Sequence, residues 1–163
     1  MTNDLGTFSI QKNFTFDKFM SKEEEEIFFS AIDLVKSHNP DISPFDVFLK
    51  LRSFGFNYIV DRRKVVAIIG NEVSIHDTDC FGLFWFYIHP DYQKKGIGTR
   101  LLKHVIDSCK KQQFIKNKSH GSIMLATRSE LIPFYIRFGF NVIYNRKIKE
   151  GSVMMLELFS EKK

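Results

Sequence analysis

The chain has 163 residues, 44% hydrophobic and 26% charged, which suits one compact domain spanning residues 1–163. A formal net charge of +5 suits an anionic ligand without demanding nucleic acid. Two cysteines, Cys80 and Cys109, exclude a disulfide framework and fit a cytoplasmic protein; no leader-like segment opens the chain, and no run approaches the roughly 18 apolar residues of a membrane span.

Thr7 to Phe14 reads as a first strand. A helix follows over Phe16 to His38, where Phe19, Met20, Ile27, Phe28, Ala31, Ile32 and Val35 recur at helical spacing. Its acidic run, Glu23 to Glu26, reads as a solvated face rather than a metal site. Ser43-Pro44-Phe45-Asp46 starts a second helix, with Ser43 as cap and Pro44 at the first helical position, and Gly55 ends it. Phe56 to Val60 and Lys64 to Ile69 form a hairpin around Asp61-Arg62-Arg63.

The continuous apolar run Phe81 to Ile88 predicts a strand buried on both faces, with Gly82 marking a bend or bulge. The helix after it carries Ile97, Leu101, Leu102, Val105, Ile106 and Cys109 on one stripe. Asn117 to Gly121 reads as a loop, Ser122 to Thr127 as a strand, and Ser129 to Phe138 as a short helix that Gly139 ends. Phe140 to Lys147 and Val153 to Phe159 close as an antiparallel pair. Mixed α/β with one central sheet follows, and no repeat or linker divides the chain. Phe45, Phe48, Phe54 and Trp85 read as core in preference to an aromatic acceptor pocket.

The chemistry-bearing stretch is Gln93-Lys94-Lys95-Gly96-Ile97-Gly98-Thr99-Arg100, between a strand and a helix. Glycines at a helix entrance let phosphates reach unsatisfied backbone N–H groups, and the aligned peptide dipoles add positive potential there. The octet is not a P-loop, because Thr99-Arg100 follows Gly98 in place of Lys-Ser/Thr, and it lacks the third glycine of a dinucleotide fingerprint.

The longer string Phe84-Trp85-Phe86-Tyr87-Ile88-His89-Pro90-Asp91-Tyr92 leading into that octet resembles the acyl-CoA-binding motif of the GNAT N-acyltransferase superfamily. Pro133-Phe134-Tyr135-Ile136-Arg137-Phe138-Gly139-Phe140 resembles the family's second motif at a family-like separation. The resemblance implies an α/β (α+β) fold with a mixed, mostly antiparallel sheet of about seven strands and about four helices. It implies that the central strand splays from its neighbour and that Phe86, Tyr87 and Ile88 offer backbone groups to the pantetheine arm of acetyl-CoA, the co-substrate, with no metal. Backbone N–H groups from Gln93 through Lys94, Lys95, Gly96, Ile97 and Gly98 to Thr99 would hold the pyrophosphate. Lys94, Lys95 and Arg100 would add charge near the phosphates or belong to solvated surface.

By the same resemblance Tyr135 protonates the departing sulfur, with a buried aromatic cap as its other reading. A lysine-like amine is neutral in about one molecule in 10³ at pH 7, so help with deprotonation is expected. Many relatives carry a Glu on the central strand, where this chain has Phe81-Gly82-Leu83-Phe84-Trp85-Phe86; His76, Asp77 and Asp79 are substitutes, though each reads more readily as loop polarity. Arg128 replaces an Asn that often contacts CoA in the family. The reading is an N-acetyltransferase acting on a primary amine of a small molecule or peptide. Its rivals are a non-catalytic acyl-CoA sensor or scaffold and an acyltransferase of aminoacyl-tRNA or a protein amine. No basic stripe with interleaved aromatics supports nucleic acid, and free edge strands near the C-terminus fit a homodimer.

Overall fold

The structure, a computed structural model, describes residues 10–14, 20–73, 79–115, 120–145 and 151–159. The order is β1 (Ile10–Phe14), α1 (Lys22–His38), α2 (Pro44–Phe54), β2 (Phe56–Asp61), β3 (Lys64–Val73), β4 (Cys80–Ile88), α3 (Ile97–Ile115), β5 (His120–Thr127), α4 (Ile132–Ile136), β6 (Asn141–Asn145) and β7 (Ser152–Phe159). Short 3-10 turns occupy Pro90–Tyr92 and Ser129–Leu131. This is the expected mixed α/β order. The chain forms two compact units: Met1–Gly70 with Trp85–His104, and Asn71–Phe84 with Val105–Lys163. Strand β4 begins in the second unit and ends in the first.

In the first unit, β1 pairs antiparallel with β2 and β2 antiparallel with β3, through a tight turn in which Arg62 and Arg63 have φ of 48° and 65°. Two successive left-handed residues make the turn whose twist matches paired strands. Helix α1 starts at Lys22, not Phe16. Ser21 is extended and caps it, accepting from the Glu24 N–H while the Glu24 carboxylate accepts from the Ser21 N–H. Those two bonds satisfy orphan donors that no apolar periodicity can; Phe16 to Phe19 lie outside the described residues. Glu23 to Glu26 are exposed, as expected of a solvated face. Phe28 packs edge-on against Phe48 of α2 at 5.5 Å and, with its ring tilted by 45°, against Phe56 of β2 at 6.1 Å. Val47 and Leu51 are the buried face of α2. Phe45 and Phe54 are therefore not core but 65% and 40% exposed, while Phe48 and Trp85 are half-buried.

In the second unit, the first half of β4 pairs parallel with β5, from Cys80 with Ser122 to Leu83 with Leu125. A parallel pair needs a crossover, which α3 supplies. Its predicted stripe from Ile97 to Cys109 is buried throughout. β5 pairs antiparallel with β7 along its whole length, and β7 with β6. β5 starts at His120, so His120 and Gly121 are strand rather than loop, and the predicted Ser129–Phe138 helix is a 3-10 turn followed by the five-residue α4. The core here is Phe81, Val105, Ile106, Ile123, Leu125, Phe140, Met154 and Leu158.

Candidate active site

The end of β4 and the glycine turn lie together in the first unit. β4 is not buried on both faces: Phe81 alone is fully buried and the rest of the strand is half-exposed. Its left-handed residue is Trp85, φ 47°, rather than Gly82. A bulky residue in that region costs on the order of 1–3 kcal/mol, which surrounding contacts must offset. One is the Lys50 ammonium, 5.2 Å from the indole centroid. Tyr87 is anchored by α1: His38 stacks on its ring at 4.7 Å, and Asn39 Nδ2 donates to its hydroxyl at 2.9 Å. The His89 N–H donates to the Val66 carbonyl at 2.8 Å, and Gln93 Nε2 donates to the Ile88 carbonyl at 3.0 Å.

Beyond Pro90 the chain makes one 3-10 turn in which the Gln93 N–H donates to the Pro90 carbonyl at 3.1 Å. Gln93 thus braces the turn with both its amide and its side chain. The Tyr92 hydroxyl donates to the Asp61 carboxylate, and that bond raises its pKa. The Lys95 ammonium lies 5.4 Å from the Tyr92 ring. Two left-handed residues follow, Lys94 at φ 58° and Gly96 at φ 74°. A Cβ on Gly96 would meet nothing within 4 Å, so the glycine serves backbone conformation and leaves open space before it. The first helical bond runs from the Arg100 N–H to the Gly96 carbonyl at 3.1 Å. The amides of Ile97, Gly98 and Thr99 thus have no carbonyl partner inside α3. Ile97 and Gly98 are buried, while Lys94, Lys95, Thr99 and Arg100 are exposed and no acid occupies the first turn. Three amides, the helix dipole and three nearby cations concentrate positive potential at this turn, an arrangement whose chemistry suits an anionic group such as a phosphate.

Tyr135 belongs to the second unit. It is 5% exposed, on α4, with its ring edge-on to Phe134 at 5.1 Å and to Phe140 at 5.7 Å. Burial pushes its hydroxyl up to about 12, against the pull of a hydrogen bond with Thr127. Thr127 ends β5 and is itself buried. Gly151, φ 104°, packs against it so closely that a Cβ would lie 1.9 Å from the Thr127 carbonyl oxygen. Arg128 is exposed and ion-pairs with Glu130 at 3.9 Å.

Sequence reasoning missed Glu72. It belongs to β3, which runs four residues past Ile69. A Cβ on Gly82 would lie 3.1 Å from Glu72 Cγ and 3.3 Å from Oε1, so the side chain lies on β4 over that glycine. The available signal was a glycine within a run of bulky residues on β4, which marks a close approach. Asp79 sits just before β4, where its carbonyl accepts from the Ser122 N–H at 2.8 Å; His76 and Asp77 lie outside the described residues. Among the described residues, no group of three or more His, Cys, Asp or Glu is placed to hold a metal ion, and no helix is long and apolar enough to cross a membrane.

The model of the acetyltransferase (GNAT) domain matches residues 55–142, more than half of the chain, and includes the glycine turn and Tyr135. Among solved structures, the ribosomal-protein-S18-alanine N-acetyltransferase from Escherichia coli is 19% identical, with 88% of this chain and 92% of that one covered and a TM-score of 0.62. A GNAT-family acetyltransferase from Staphylococcus aureus Mu50 is 20% identical over 92% and 99%, TM-score 0.64. An aminoglycoside 6′-N-acetyltransferase complexed with coenzyme A is 15% identical over 94% and 99%, TM-score 0.66. No curated protein matches the sequence. Identities this low speak for the fold alone, but the domain match covers more than half of the chain, and on it the chain belongs to the GNAT acetyltransferase family.

Proposed function

We propose that the protein is an N-acetyltransferase that moves an acetyl group from acetyl-CoA to a primary amine by direct attack in a ternary complex. The observation that carries this reading is the turn at Lys94 to Gly96, which leaves the amides of Ile97, Gly98 and Thr99 without helical partners beside open space. These amides hold the pyrophosphate, with Lys94, Lys95 and Arg100 adding charge that salt will screen. The backbone of Phe86, Tyr87 and Ile88 takes the pantetheine arm, and the remaining strand donors steady the tetrahedral oxyanion. Because β4 and α3 each run through both compact units, we read residues 1–163 as one acyltransferase domain.

Tyr135 gives its proton to the leaving sulfur. In water this would be unfavourable, since a thiol titrates near 8.5 and this phenol is held at about 12. The same unit shows what burial does to a thiol: Cys109, buried on α3, is also pushed up to about 12. A thiolate formed in a dry place becomes more basic in the same direction, which narrows the gap that a short hydrogen bond from the phenol must cross. No metal is needed for that step. The acceptors named for two structural neighbours, a ribosomal-protein alanine and an aminoglycoside, both offer a primary amine, and we extend that class to this chain. Two unpaired cysteines fit a cytoplasmic location. The exposed Val142, Ile143 and Tyr144 on β6 support a second copy of the chain as partner, which sedimentation would read.

The test is calorimetric titration with coenzyme A, followed by thiol release from acetyl-CoA against amino acids, polyamines, aminoglycosides and alanine-initiated peptides. Binding with turnover of one class is expected. Failure to bind coenzyme A removes the reading, and binding without thiol release against the panel would make the protein an acyl-CoA sensor.

A further inference from the structure

Glu72 is the carboxylate that the geometry brings onto β4. It is half-buried near the end of β3, and its Cγ and Oε1 occupy the space that a side chain on residue 82 would fill, at 3.1 and 3.3 Å from where that Cβ would stand. No hydrogen bond or ion pair engages its carboxylate among the described residues. Gly82 is one residue short of the last registered pair between β4 and β5, Leu83 with Leu125. Past that pair, Ala126 and Thr127 of β5 keep their antiparallel partners Val153 and Ser152 on β7. A half-buried carboxylate thus lies where the parallel ladder stops.

Strand alternation fixes which side it serves. Gly82 registers with Met124, and Thr127 is three residues further along β5, so Gly82 and Thr127 face opposite sides of the sheet. Burial agrees: Ile123, Leu125 and Thr127 are buried, whereas Ser122 and Met124 are half-exposed. Tyr135 hydrogen-bonds to Thr127 and belongs to that buried side. An amine adding to a thioester carbonyl approaches from one direction as the sulfur leaves by another. A base on one face and an acid on the other match those directions.

We propose that Glu72 is the general base of acetyl transfer, holding the acceptor's ammonium group over Gly82 and removing its proton; this rests on the acyltransferase reading above. The ammonium gives one proton to the Glu72 carboxylate, directly or through one water. The neutral amine then forms the C–N bond, and the C–S bond breaks with its electron pair left on sulfur. The sulfur takes a proton from Tyr135; the nitrogen's second proton passes to solvent, and the Tyr135 phenolate recovers one from solvent. Amide, free thiol and one proton released from Glu72 to solvent account for all atoms and charge.

The experiment compares wild type with Glu72→Gln and Glu72→Asp. Calorimetry with coenzyme A should give dissociation constants within about twofold for all three, and melting temperatures should agree closely. Thiol release against the same amine panel should fall about 10²-fold or more in Glu72→Gln at pH 7, the usual size of a lost general base. The deficit should shrink toward pH 10, where the amine deprotonates unaided, and Glu72→Asp should recover part of the rate. Independently, saturation-transfer NMR with n-butylamine and coenzyme A present should show amine contact in wild type that Glu72→Gln loses. A Glu72→Gln enzyme with wild-type rate, a deficit equal at pH 7 and pH 10, or amine contact absent from wild type or unchanged in Glu72→Gln overturns the assignment. Loss of coenzyme A binding by wild type would instead sink the acyltransferase reading.

Discussion

Tyr135→Phe removes one oxygen and keeps the ring. The edge-on contacts with Phe134 at 5.1 Å and Phe140 at 5.7 Å survive, and the folding cost includes the hydrogen bond with Thr127. One such bond contributes about 1 kcal/mol, or about 2–4 °C in melting temperature for a chain of this size. The expected catalytic cost is much larger. A general acid contributes about 10²–10⁴-fold, which is on the order of 3–5 kcal/mol of barrier. The two effects separate by size, and acetyl-CoA affinity should stay within about twofold because the cradle amides belong to α3. Thiol release at saturating substrates measures kcat, calorimetry measures binding, and a thermal melt measures stability.

The leaving group gives a second handle on the same residue. An acetyl thioester of a more acidic thiol needs less protonation, so the Tyr135→Phe defect should narrow with a thiophenyl ester. Because burial holds the hydroxyl at about 12, this group should impose no falling limb on wild-type kcat below about pH 10. A kcat within about threefold of wild type would refute proton donation. Equal losses in kcat and acetyl-CoA binding, with a large drop in melting temperature, would make Tyr135 a packing residue instead.

Gly96→Ala should weaken coenzyme A binding about five- to tenfold and cost about 1 kcal/mol of stability, since φ 74° is unfavourable to Ala while space for the methyl is open; unchanged affinity would remove the cradle. Alkaline pH should destabilise the fold. Cys109 and Tyr135 hold their protons more tightly folded than unfolded, with pKa values raised from 9.0 and 10.0 to about 12. That stability is fully present below the unfolded values and is lost as pH climbs from about 9 through 12. Melting temperature should fall across that window, less steeply in Cys109→Ala, and a flat profile would contradict both shifts. Gly151→Ala should unfold the protein or lower its melting temperature by more than about 10 °C, because the new Cβ would lie 1.9 Å from the Thr127 carbonyl oxygen at φ 104°; a near-wild-type melt would show that the start of β7 can move.

The parts of this protein that local chemistry dictates were legible. The α3 stripe from Ile97 to Cys109 follows from 3.6-residue spacing, and Gly96 announces a left-handed turn because few other residues tolerate one. Lys94 at φ 58° and Trp85 at φ 47° give no such notice, since a lysine or tryptophan does not advertise a conformation it disfavours. At α1, apolar spacing from Phe16 onward outweighed a capping box at Ser21 and Glu24, although those two reciprocal hydrogen bonds decide where the helix begins. In α2 the apolar residues fall on more than one face, and periodicity could not say that Val47 and Leu51 would turn inward while Phe45 stayed exposed. The same distinction separates the proposed cradle from the proposed base. The proposed cradle is one contiguous segment that acts through backbone geometry, so a single window of sequence contains it. The Glu72 carboxylate reaches β4 from β3, ten positions away along the chain, and depends on a side chain that is missing at Gly82. A local reading looks for an acid on the strand itself and finds a glycine; the glycine is the reason the acid can arrive from the neighbouring element.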